Sequence, residues 1–131
     1  MHILLLHPGE PLVLDSIEGH ADTRRRLVAF AASPDPVLEL GADGRSSLAP
    51  GLEALRALRV RKSDGPILTS IEGPVLVVSG RPELLARYAE AFTFAPHAGG
   101  DEHHPEQAFP DDLAPGSLLT VVRADEGGAA D

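Results

Sequence analysis

The chain has 131 residues, 43% of them hydrophobic, which suffices for one apolar core of ordinary domain size. It has no cysteine, so disulfides and thiolate metal sites are excluded, and any metal would need imidazole and carboxylate ligands. A formal charge of −9, no tryptophan and 4% aromatic content argue against a base-stacking nucleic-acid binder, and no segment approaches the roughly 20 continuous apolar residues of a membrane helix.

The opening MHILLL lacks the basic leader and long apolar centre of a secretion signal, so it reads as a first strand of a soluble, cytoplasmic protein. Apolar runs at 1–6 and 12–14, separated by His7-Pro8-Gly9-Glu10-Pro11, predict a hairpin or a bent strand pair. Residues 23–32 are ambiguous, since Leu27, Phe30 and Ala31 fit helical spacing while Val28 and Phe30 fit alternation. A helix starting at Thr23 would set Arg24, Arg25 and Arg26 against the positive end of its dipole, which favours a strand pairing with 37–40.

Beyond a turn-rich stretch at 41–47, Pro50 and the recurrence of Leu52, Leu55 and Leu58 predict a helix over about 50–60. Arg59, Arg61 and Lys62 would then offset the dipole at its C-terminus. Runs at 66–71 and 74–79, divided by Glu72-Gly73, predict two hairpin strands or one interrupted strand. Pro82 followed by Leu84, Leu85, Tyr88, Ala89 and Phe92 predicts a helix over 82–93, with Glu83 placed four residues before Arg87.

A last strand is expected over 117–123, and 124–131 reads as a flexible acidic tail. These elements describe one small α+β domain over 1–123, with a mostly antiparallel or mixed sheet and two helices. The tetrapeptide Ser-Ile-Glu-Gly occurs at 16–19 and at 70–73, but the residues after each copy differ in character. Shared turn chemistry explains it better than duplication.

The charge is uneven. Residues 1–100 hold 12 acidic and 10 basic side chains, whereas 101–131 hold 8 acids and Arg123. Across the boundary between the two regions runs the densest chemistry of the chain, HAGGDEHHPE at 97–106, with three imidazoles and three carboxylates. His103 and His104 are adjacent, so an extended backbone turns them to opposite faces and only a tight bend lets both bind one ion.

No metalloprotease, calcium-loop, phosphate-loop or nucleophile-elbow pattern occurs. His2, His7 and His20 read as ordinary histidines, Ser79 as a turn residue before a helix, and Tyr88 as a core side chain.

Two stretches carry a resemblance. SGRPELLARYAEAF at 79–92 and EHHPEQAFPDDLAPGSLLTVV at 102–122 resemble the bacterial polymorphic-toxin immunity proteins of the immunity protein 32 family, a likeness spanning about residues 66–123. Arg81 stands where that pattern leads one to expect an N-capping residue, and Pro105 where it leads one to expect continuing strand.

The resemblance implies a small α+β protein that is not an enzyme, needs no cofactor, and binds a cognate toxin. The contact residues it points to are Asp101, Glu102, His103, His104, Glu106, Asp111 and Asp112. Two other readings compete with it. One is a small hydrolase using a divalent ion held by the 97–104 segment; the other is a structural or regulatory subunit that associates with a second copy of itself.

Overall fold

The structure, a computed structural model, describes residues 1–6, 10–42, 53–94 and 102–123. In chain order the elements are β1 (His2–Leu6), β2 (Glu10–Asp15), α1 (Ile17–Ala32), β3 (Val37–Gly41), β4 (Glu53–Leu55) and β5 (Ala57–Lys62). They continue with β6 (Leu68–Glu72), β7 (Val75–Gly80), α2 (Pro82–Tyr88) with a 3-10 turn at Ala89–Phe92, β8 (Glu102–His103), α3 (Pro105–Ala108), a 3-10 turn at Pro110–Asp112, and β9 (Thr120–Arg123). The expected tail at 124–131 lies outside the described residues, as do Pro50 and Leu52.

The fold is small α+β, with two mixed sheets. One has the order β4-β1-β2-β9-β8 and the other β3-β5-β7-β6. The β2–β9 and β5–β7 pairs are parallel; the remaining pairs are antiparallel. β1 and β2 pair with each other as the sequence leads one to expect, and of the two alternatives left open for 66–79 the hairpin is the one formed, by β6 and β7. Gly73, at φ 60°, supplies the left-handed residue that its two-residue loop requires.

Two expectations are overturned. Residues 23–32 are helix, because α1 starts seven residues earlier than Arg24 at a site the alternation argument overlooked. Ser16 is its N-cap, with Oγ accepting from Gly19 N–H at 3.0 Å, and Glu18 lies in the first turn. The three arginines therefore sit mid-helix, where the dipole exacts nothing, and Arg25 and Arg26 pair with Asp22 one turn back.

His20, Thr23, Leu27 and Phe30 form the buried stripe of α1, at spacings only a helix brings to one side. Gly19 sits where the chain enters α1, and a Cβ there would displace the Asp15 carboxylate.

Over the described part of the helix expected at about 50–60, residues 53–60, the chain instead forms β4 and most of β5. In β5, Leu58 and Val60 face the core while Arg59 and Arg61 face outward, a period of two that the three-residue recurrence of leucines obscured. Neighbouring strands satisfy its backbone on both sides, β3 antiparallel and β7 parallel. The cations expected to cap a helix instead find separate partners: Arg59 the Glu39 carboxylate at 2.9 Å, Arg61 that of Glu72, and Lys62 the Ser33 carbonyl.

The core lies where the inner sides of the two sheets meet α1, α2 and the 3-10 turn. Leu55, Ile3, Val13 and Val121 line up across the first sheet, each with no exposed surface, and His103 ends that row. From the second sheet come Leu40, Leu58, Val60, Leu76 and Val78. Leu84, Leu85, Tyr88, Ala89 and Phe92 fill the remaining side, which is the apolar face the sequence predicts for this helix. Burial of this kind, worth about 25 cal/mol per Å² of apolar surface, is the dominant favourable contribution to folding.

Candidate functional site

β8 pairs antiparallel with β9, His103 opposite Val121 and Glu102 opposite Val122. Alternation then separates the neighbouring imidazoles, as the extended chain requires. His103 turns to the core side, where its ring lies parallel to that of Phe94 at 4.1 Å and 4°, and its Nδ1–H donates to the Ala91 carbonyl at 2.8 Å.

Phe94 in turn stacks on His20 at 5.1 Å, and Phe92 tilts against the other ring at 5.7 Å. His20 is fully buried and its Nε2–H donates to the Val122 carbonyl at 2.8 Å. Its pKa is held below the ordinary 6.5 by burial, which outweighs the opposing bond to Val122 and the nearby Asp15 carboxylate.

His104 takes the other side. Its Nδ1 lies 3.3 Å from Thr120 Oγ1 and 3.5 Å from Glu106, and its Nε2 lies 3.6 Å from Glu102. Pro105 then ends the strand and occupies the first position of α3, where its missing N–H costs nothing. Glu106, one residue on, accepts from Leu119 N–H at 3.3 Å and so ties α3 back to the chain entering β9. Pro105 is thus the start of a short helix.

Between the 3-10 turn after α2 and α3 lies an open cleft of about 430 Å³, walled by Glu90, His103, His104 and Phe109 among others. Glu90 is held by Arg24 of α1 at 2.8 Å. Beside the cleft, Asp112 receives Arg87 of α2 at 2.6 Å, which fastens the C-terminal segment to the helix. Asp111 is exposed on the same 3-10 turn.

In the core, burial pushes the Tyr88 phenol strongly upward, with the Glu106 carboxylate adding to the effect. Tyr88 therefore remains a neutral core side chain.

Of the residues singled out by sequence, Glu102, His103 and His104 come together at this cleft, Glu106 lies 3.5 Å from His104, and Asp111 and Asp112 stand to one side, Asp112 engaged by Arg87. Asp101 and His97 lie outside the described residues. Among the described residues no group of three or more histidines and carboxylates is placed to hold a metal ion.

Sequence reasoning missed Phe94, Glu90 and the buried role of His20. Phe94 had no pattern around it. For His20 a signal existed: once Ser16 is read as an N-cap, His20, Thr23 and Leu27 fall on one stripe.

Among the described residues no helix is long and apolar enough to cross a membrane. No family model, curated protein or solved structure matches this chain.

Proposed function

We propose that this protein is a non-catalytic immunity protein, which binds a cognate bacterial toxin in the cytoplasm of the producing cell and blocks it through the face around β8 and α3. The observation that carries the reading is how the polar groups in and beside the cleft are used. His103 Nδ1 and the Glu106 carboxylate are committed to backbone partners, His104 lies between two carboxylates, and Glu102 and Asp111 point acid outward.

Residues 102–112 contain four carboxylates and neither lysine nor arginine. Such a rim steers a basic partner in and rejects acidic ones. The resemblance of residues 66–123 to toxin immunity proteins supports the same reading. The toxin's contact surface is then expected to be basic.

Growth protection is the test. Cells producing the toxin domain encoded beside this chain are expected to survive when the chain is co-produced. Protection should be lost with the charge-reversed pair Glu102→Lys and Asp111→Lys, both exposed and neither in the core. Undiminished toxicity with the native chain refutes the proposal. So does turnover of a small molecule by the isolated protein that disappears on replacing His103 and His104 with alanine.

A further inference from the structure

A sheet edge is a row of backbone donors and acceptors without partners, and proteins blunt such edges by shortening, covering or charging them. Among the described residues, three of the four edges are blunted. β4 has three residues and β8 two. The start of β6 is covered: Ile67 N–H donates to the Asp112 carbonyl at 2.8 Å, Ala114 N–H donates to the Ile67 carbonyl at 2.7 Å, and Thr69 N–H donates to Ser117 Oγ at 3.2 Å.

The fourth edge, β3, has five residues, with neither proline nor lysine among them, and no described segment pairs with its outer side. Its ladder to β5 is bracketed by Lys62 N–H to the Pro36 carbonyl at 3.1 Å and Ala42 N–H to the Arg56 carbonyl at 2.8 Å. Antiparallel alternation then turns the backbone groups of Leu38 and Leu40 toward β5 and those of Val37, Glu39 and Gly41 toward the open side. All three outward residues are exposed, Val37 to 45%.

Charge decides which occupant fits. Around β3 the charges are matched within the subunit: Glu39 by Arg59 at 2.9 Å, and Asp22 by Arg26 at 3.0 Å. Arg26 and Asp35 face the same groove of about 350 Å³ between α1 and β3, where Val37 and Leu38 supply apolar wall, and Val28 on α1 is also exposed. A chain of net charge −9 approaches its own copy at least electrostatic cost through such a neutral corner, and a basic partner is drawn to nothing there.

We propose that β3 joins the β3 of a second copy of this chain, antiparallel about a two-fold axis through Glu39, making one continuous sheet of eight strands from two of four. An isologous pairing of this kind needs a self-complementary edge. In this register Val37 lies opposite the partner's Gly41, where open space stands in place of a side chain. The two Glu39 residues meet at the axis, each already neutralised by its own Arg59. The surface lies on a different sheet from the cleft of β8, so this inference stands or falls separately from the toxin reading.

Sedimentation of the full chain over a concentration series tests it. The wild type is expected to reach twice the 13.8 kDa chain mass, and Val37→Lys and Glu39→Pro to remain at 13.8 kDa. Glu39→Pro removes an N–H from the open side only, so it leaves the ladder to β5 intact. Hydrogen exchange on the wild type is the check that does not depend on a variant folding: the N–H groups of Val37, Glu39 and Gly41 should slow as concentration rises. A wild type that stays at the monomer mass overturns the proposal, as does a dimer that persists in folded Val37→Lys and Glu39→Pro or that leaves those three N–H groups exchanging fast.

Discussion

Mild acid should weaken this fold through His20, and replacing that one side chain should remove the effect. The ring is fully buried against Phe92 and Phe94, and its Nε2–H is committed to the Val122 carbonyl. Nδ1 has no hydrogen-bond partner among the described residues, so a second proton would create a buried cation with an unbonded donor.

Burial pushes the pKa below 6.5, and the Met1 ammonium and His103 push the same way. The bond to Val122 and the Asp15 carboxylate oppose them and lose. Between the lowered native value and 6.5 the unfolded chain binds more protons than the native state. Stability contributed by the neutral ring is therefore complete above 6.5 and declines as the pH falls through that window.

One such group changes stability by at most about 1.4 kcal/mol per pH unit. Urea unfolding of the wild type and of His20→Gln, whose side-chain amide can still donate to Val122, should be compared about one unit above and one unit below the ordinary imidazole value. The wild type is expected to lose up to about 1.4 kcal/mol more than the variant over that interval. Equal losses in the two proteins would show that His20 does not titrate with unfolding. A wild type that gains on the variant in acid would mean that Asp15 and the Val122 bond outweigh burial, reversing the argument.

Three further outcomes follow from the packing and the caps. Phe92→Ala, at a core site 2% exposed, is expected to cost about 3–5 kcal/mol in denaturant unfolding, since the walls cannot collapse fully into the space left. Ser16→Ala removes the acceptor for Gly19 N–H and should cost about 1 kcal/mol, with faster amide exchange confined to the first turn of α1. Gly73→Ala forces a Cβ onto a residue at φ 60° and should lower the unfolding midpoint by the equivalent of about 1 kcal/mol, although nothing crowds the added methyl.

Local chemistry alone determined several features of this protein. Pro82 followed by an apolar stripe makes α2, because proline is preset for a first helical turn and Leu84, Leu85 and Tyr88 fall on one face at that period. Glu72-Gly73-Pro74 makes the β6–β7 turn, because the positive φ there suits glycine. The opposite facing of His103 and His104, and the acidity that gathers after residue 100, were equally legible.

Tertiary structure decided the rest. Residues 57–62 could have satisfied their backbone internally as a helix, and only the presence of β3 and β7 on either side makes the strand the better solution. The arginines of α1 looked misplaced until the helix start at Ser16 moved them away from its end. The cleft itself joins Glu90, His103 and Phe109 across the packing of three elements. Those contacts are long-range, and a side chain's partners at such separations depend on which surfaces the whole core brings together, something no local periodicity encodes.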